Sequence, residues 1–172
     1  MIYEERTLEN FLLDAGVLGE LCHPKNKKCQ LKAKIFIEKV TYDNNIVAFI
    51  PEIADYELRR ELLRFAMQNN QSTSKSLERL DSLETLLNFK YLRVDTNIWR
   101  KAAELWAQAR NAGQPIGDVK TLGGDVILAA QALAVEGTVV TTNVKHLSRF
   151  VSTKDWNQLI NEWANSIHFD KP

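Results

Sequence analysis

The chain has 172 residues, 45% of them hydrophobic and 26% charged, which is the composition of an ordinary globular protein. Its 22 Lys and Arg balance its 22 Asp and Glu, so no global field draws it to nucleic acid or to a membrane surface. No apolar run approaches the roughly 18 residues that span a bilayer, and the N-terminus lacks a signal-peptide pattern. We therefore expect a cytoplasmic protein without membrane association. It should form one domain over residues 1–172, with a core at about 9–152 and a C-terminal helical extension at about 153–172.

Strands and helices alternate along the first half of the chain. Short apolar or β-branched runs predict strands, and apolar residues at spacings of three and four predict helices. Pro51 ends one strand where proline can open the following helix. The inner stripe of that helix is predicted at Ala54, Leu58, Leu62 and Phe65. The elements expected up to residue 68 are strand 11–13, helix 32–42, strand 46–50 and helix 51–68.

The alternation continues in the second half. A helix over 74–89 carries Leu77, Leu80 and either Leu83 or Leu87 on its inner face. Another helix, over 98–110, is amphipathic, and its inward residues are predicted to be Trp99, Ala102, Ala103, Trp106 and Ala109. The remaining elements are expected to be strand 91–94, helix 126–135 ending at Gly137, strand 138–142, a short strand at Ser-Arg-Phe and a final helix. This alternation predicts an α/β fold with a mainly parallel sheet.

Polar residues fall where the carboxyl edge of this sheet is expected, which is where open α/β sheets bind ligands. Asp14 ends the first strand, and Glu57 lies in the first two turns of the helix after the second. Asp125 begins a helix, and Asn143 ends the strand that follows it. Each has a simpler role open to it: a turn former for Asp14 and Asn143, a solvated helix flank for Glu57 and a helix cap for Asp125.

Three carboxylates in one cleft would repel one another and force protonation of at least one group. A hard divalent cation removes this conflict, and Mg²⁺ in particular accepts a few carboxylates while keeping several waters. Such an ion can orient and polarise a phosphate and activate water. The acids therefore favour phosphodiester chemistry, provided that they converge.

Three segments resemble the four motifs of PIN-domain nucleases. LLDAGVL resembles the first motif with Asp14 as its acid, and IPEIADYELRREL resembles the second with Glu57 as its glutamate. GDVILAAQALAVEGTVVTTNVKHL is similar to the third and fourth, which carry Asp125, Thr142 and Asn143. The resemblance runs from about residue 11 to 150, in the family's order.

The resemblance implies a three-layer α/β/α fold and an Mg²⁺- or Mn²⁺-dependent endoribonuclease, similar to the VapC-type toxins of toxin–antitoxin pairs. Asp14, Glu57 and Asp125 would hold the metal. Thr142 and Asn143 would orient the site or the scissile phosphate, and water would attack the phosphorus in line. RNA as substrate, an antitoxin protein as partner and a homodimer are implied in the same way.

The sequence departs from the family pattern near the fourth acid. His146 stands where many members carry it, so His146 and Asp118 are both candidates for a fourth ligand. Ala15 replaces the small polar residue usual after the first Asp. These departures leave open a second reading, a catalytically inactive PIN-like fold that binds RNA or protein.

Cations for RNA must come from local patches, because the net charge is zero. Lysines cluster between Lys25 and Lys34, and Arg59, Arg60 and Arg64 share the predicted helix of Glu57. Arg60 is the preferred phosphate contact, and Lys145, close after Asn143, is the second.

Overall fold

A computed structural model describes residues 7–70, 74–113 and 122–167, without the side chains of Leu122 and Ile167. Strands and helices alternate through these ranges. The strands are β1 (Glu9–Leu13), β2 (Ile46–Pro51), β3 (Phe89–Leu92), β4 (Thr138–Thr141) and β5 (Thr153–Asp155). The helices are α1 (Ala15–Leu21), α2 (Lys27–Tyr42), α3 (Glu52–Gln68), α4 (Lys75–Leu83), α5 (Thr96–Asn111), α6 (Leu122–Ala134), α7 (Val144–Leu147) and α8 (Trp156–Ile167).

The five strands form one parallel sheet in the order β3-β2-β1-β4-β5, which confirms the predicted sheet. β1 lies at its centre, where Leu13 pairs with Val140 of β4 and Phe11 with Ala48 of β2. The chain winds outward in one direction from β1 to β3 and in the other from β4 to β5. The strand order therefore switches between β1 and β4, and a crevice is expected beyond their carboxyl ends.

Helices cover both faces of the sheet, so the predicted three-layer α/β/α architecture is confirmed. Alternate residues of a strand point to opposite faces. Phe11 and Leu13 of β1 pack into one apolar cluster with α1, α2, α4 and α8. Leu12 packs into the other with α5, α6 and Leu147 of α7. α3 lies at the carboxyl edge, in contact with both α1 and α6.

The predicted inner face of α5 is confirmed at Ala102 and Ala109 but was wrong at Trp99, Ala103 and Trp106. Ile98, Ala102, Leu105 and Ala109 are buried, whereas Trp99 is 54% and Trp106 40% exposed. Both sets have helical spacing, so periodicity does not distinguish them. The buried set carries smaller side chains, and these allow α5 to pack closely on the small residues of α6.

Several element boundaries also differ from prediction. α1 begins directly after Asp14 where only a turn was expected, and α4 ends at Leu83, which leaves Leu87 63% exposed. Phe65 of α3 is 59% exposed, because Ala66 takes the buried position beside it. The last strand is β5 rather than Ser-Arg-Phe, which lies in the turn after α7.

The end of α6 uses a different residue from the one predicted. The left-handed backbone conformation falls on Glu136 (φ 50°), not on Gly137. Gly137 is needed for a close approach instead, since a Cβ there would collide with Leu12 and lie 3.1 Å from the carbonyl oxygen of Asn10. The turn thus presses the start of β4 against β1.

Across the described ranges, no helix is both long and apolar enough to cross a membrane.

Candidate active site

A cleft of about 900 Å³ opens at the carboxyl edge of the sheet. α3 and α6 supply most of its acidic lining, and the segments after β3 and β4 complete it. The residues that line it are Glu52, Ile53, Tyr56, Glu57, Arg60, Val94, Trp99, Gly123, Gly124, Asp125, Ile127, Asn143 and His146. The sequence-predicted residues Glu57, Asp125, Asn143, His146 and Arg60 therefore share one cavity.

Asp14 caps α1 and is fixed by β4. Its Oδ1 accepts a hydrogen bond from the backbone N–H of Ala15, the first residue of α1, at 2.7 Å. Its Oδ2 accepts a second from the hydroxyl of Thr141, also at 2.7 Å. Thr141 is fully buried, and its Oγ1 in turn accepts from the N–H of Asn143 at 2.9 Å. One hydroxyl thus connects the acid of β1 to the polar residue that follows β4.

Glu57 is seated against the backbone of α6. A Cβ on Gly124 would collide with its Oε1 and lie 3.1 Å from its Cδ, so a larger residue at this position would force the carboxylate to move. Burial and then the charge of Asp14 raise the pKa of Glu57. Arg60, one helical turn away, opposes this shift, and Asp125 adds to it.

Asp125 lies in the first turn of α6, where the helix dipole favours a carboxylate. Burial raises its pKa, and the charge of Asp14 raises it further, while His146 and Arg149 lower it. Arg149 is anchored by a hydrogen bond from its Nε to the carbonyl oxygen of His146 at 3.1 Å. The segment after β4 therefore brings positive charge toward Asp125.

The three acids interact electrostatically: the charge of Asp14 raises the pKa of both Glu57 and Asp125. Within residues 7–70, 74–113 and 122–167, however, no three His, Cys, Asp or Glu side chains are grouped closely enough to hold a metal ion in this conformation. The donor chemistry fits a hard divalent cation, since all three side chains offer carboxylate oxygens and gain from neutralisation.

Other predicted residues have different surroundings. Thr142 and Lys145 are exposed, and neither is among the described residues that line the cleft. Asp118 lies outside the described residues. Sequence reasoning missed Thr141, although the register of β4 on β1 identifies it: extending the Leu13–Val140 pair by one residue places Thr141 beside Asp14.

The three arginines of α3 have different partners. Arg59 binds Asp55 through two nitrogens at 2.9 and 3.0 Å and reaches Asp81 of α4 at 2.7 Å. Arg64 pairs with Glu61 on the exposed face. Arg60 alone of the three lines the cleft, with its guanidinium 5.6 Å from the ring centroid of Tyr56.

A sequence model of the PIN domain matches residues 11–151, which is most of the chain. The chain belongs to the PIN domain family. Proteins of this family are nucleases, and they generally use divalent metal ions. The matched range of the PIN domain includes Asp14, Glu57, Asp125 and Asn143, and it ends before β5 and α8. The comparison with curated proteins found no match.

Solved structures share the fold of this PIN domain at low sequence identity. VapBC-1 from nontypeable Haemophilus influenzae is 22% identical, with a TM-score of 0.58 over 86% of this chain and 98% of that one. FitAcB from Neisseria gonorrhoeae is 19% identical, with a TM-score of 0.58 over 85% and 97%. PAE2754 from Pyrobaculum aerophilum is 17% identical, with a TM-score of 0.58 over 95% and 96%. At these identities the likeness establishes the fold.

Proposed function

We propose that this PIN domain is a metal-dependent endoribonuclease and the toxin of a toxin–antitoxin pair. The observation that carries the proposal is the placement of Glu57 and Asp125 in one cleft, both with pKa values raised by burial and by the charge of Asp14. Buried like charges are costly in the protein alone, and they persist at functional sites where a ligand compensates for them.

In the proposed site Asp14, Glu57 and Asp125 would hold Mg²⁺ or Mn²⁺. A bound ion would supply polarisation of the scissile phosphate and activation of the attacking water. Thr141 keeps the Oδ2 of Asp14 in position, and Gly124 leaves space for the carboxylate of Glu57. His146 lines the cleft beside Asn143 and is the proposed fourth contact to the metal or its water, since a neutral imidazole accepts a proton or binds Mn²⁺.

RNA is the proposed substrate, with Arg60 as its phosphate contact inside the cleft. Lys145 and Thr142, exposed close to Asn143, are proposed to bind the strand as it leaves the cleft. These contacts are local, which agrees with the zero net charge of the chain.

An antitoxin protein is the proposed partner. Several of the similar structures are of VapBC or FitAB, including VapBC2 from Rickettsia felis bound to a DNA fragment from their promoter. We expect the partner of this chain to cover the cleft and so prevent RNA from entering it.

Calorimetric titration with Mn²⁺ at neutral pH, followed by cleavage of a labelled RNA oligonucleotide, tests the chemistry. Wild type should bind Mn²⁺ and cleave, and both Asp125→Asn and Glu57→Gln should lose metal affinity and cleavage together. Glu78→Gln is the control, because Glu78 is exposed on α4, away from the residues that line the cleft. Neither binding nor cleavage by folded wild type, with RNA present during the titration, would favour the inactive binding module instead.

A further inference from the structure

Two aromatic side chains stand exposed inside the acidic cleft. Tyr56 is 57% and Trp99 54% exposed, and both line the cavity that contains Glu57 and Asp125. Large rings are normally buried, because each contributes a sizeable hydrophobic area. Aromatic rings that line a concave site together with a few polar groups are typical of a ligand-binding pocket.

The two rings come from different helices. Tyr56 precedes Glu57 on α3, with the guanidinium of Arg60 5.6 Å from its ring centroid. Trp99 lies in the first turn of α5, and its neighbour Ile98 is buried in the core and anchors that end of the helix. The rings are thus carried by rigid elements, and a cation accompanies the first of them.

We propose that Tyr56 and Trp99 form a base-stacking subsite, which holds an unpaired nucleobase of the RNA next to the phosphate bound by Arg60. This inference rests on the proposed function and adds the part of the substrate that the cleft recognises. Aromatic rings bind exposed bases through their π-faces, and arginine adds phosphate and cation–π contacts. In a duplex both faces of a base are already stacked, so the subsite selects single-stranded RNA.

The position of the rings favours RNA over an apolar protein surface. Trp106 lies on α5 with Trp99 and is 40% exposed, but it is not among the described residues that line the cleft. Tyr56 and Trp99 instead share a cavity with Arg60 and the acids, and an apolar protein surface would bury those charges without compensation.

Fluorescence titration tests the subsite with the full chain. An unstructured 12-nucleotide RNA is added in Ca²⁺ in place of Mg²⁺, to slow hydrolysis, and its duplex is added in parallel. Stacking should quench tryptophan emission with the single strand only. Trp99→Ala should remove the quenching, and Trp99→Ala and Tyr56→Ala should each weaken binding about tenfold or more. Trp99→Phe should keep most of the affinity, and Trp106→Ala, the matched control, should behave as wild type.

The outcomes separate this inference from the proposed function. Cleavage by wild type with unchanged RNA affinity in Trp99→Ala and Tyr56→Ala would overturn the subsite and leave the nuclease standing. Quenching that depends on Trp99 without any cleavage in Mg²⁺ or Mn²⁺ would support the subsite and overturn the nuclease. If light scattering shows self-association that Trp99→Ala abolishes, while RNA affinity is unchanged, the ring belongs to a dimer interface and the subsite is wrong. Failure of wild type to bind RNA would overturn both.

Discussion

The two faces of the sheet are packed with different kinds of side chain. On the face of α1, α2 and α8, Phe36 stacks on Trp163 and meets Trp156 and Phe89 edge-on, at centroid distances between 5.3 and 6.2 Å. On the face of α5 and α6, the core consists largely of alanines and short aliphatic residues. The aromatic face gains stability from contact area. The small-residue face allows backbones to approach closely, and it is this face that delivers Gly124 and Asp125 to the cleft.

The two faces should therefore respond in opposite ways to a change in side-chain size. The largest loss of stability is expected from truncation on the aromatic face. Trp156 is fully buried, and its Nε1 donates to Glu20 at 2.9 Å. Trp156→Ala should lower the free energy of unfolding by about 3–5 kcal/mol, because it leaves a large cavity in the core. Urea denaturation measures the loss. Trp106→Ala, at an exposed position, should change stability far less; equal losses would mean that the aromatic cluster contributes no special stability.

Enlargement should be the harmful change on the other face. Ala129 of α6 is fully buried, so Ala129→Leu should cost about 1–3 kcal/mol through overpacking. Ala103→Leu, on the exposed side of α5, is the size-matched control and should be nearly neutral in thermal denaturation. Tolerance of Leu at Ala129 would show that α6 is not closely packed after all.

Gly123 and Gly124, at the start of α6, differ in the space around them. A Cβ on Gly124 collides with the carboxylate of Glu57, whereas one on Gly123 meets nothing within 4 Å. Gly124→Ala should therefore displace Glu57 and reduce RNA cleavage about 10- to 100-fold, with little effect on stability, while Gly123→Ala cleaves as wild type. Similar rates for the two variants, measured under single turnover, would mean that Glu57 moves without consequence.

The smallest effect concerns pH. Because burial and Asp14 raise the pKa of Asp125, the folded state holds its proton more tightly than the unfolded chain. The stability that protonated Asp125 contributes is fully present below the ordinary pKa of an aspartate. It is lost as the pH rises from that value through the raised pKa of the folded state. Asp125→Asn should thus stabilise the metal-free protein at neutral pH. Its stability should also fall less with rising pH, as followed by thermal denaturation from pH 3 to 8. Parallel curves for the two proteins would contradict this.

Local patterns in the sequence predict the elements and the acids well but not the contacts between elements. The strand runs, the order of elements and the acids at the sheet edge follow from local features that one chain segment carries alone. The outward orientation of Trp99 and Trp106 does not follow from such features. Two sets of residues on α5 have the same helical periodicity, and only the packing of α5 on α6 decides which set is buried. Thr141 likewise becomes visible only through the pairing of β4 with β1, which no local pattern specifies.

The central position of β1 has a consequence for the order in which the molecule becomes competent. Asp14 is synthesised before Thr141, whose hydroxyl holds it, so β4 can pair with β1 only once residues 138–141 have been made. A nascent chain that ends before β4 therefore has the first acid without the partners that orient it. Completion of the cleft requires that β4 has emerged from the ribosome, so translation products truncated before β4 should lack the assembled cleft.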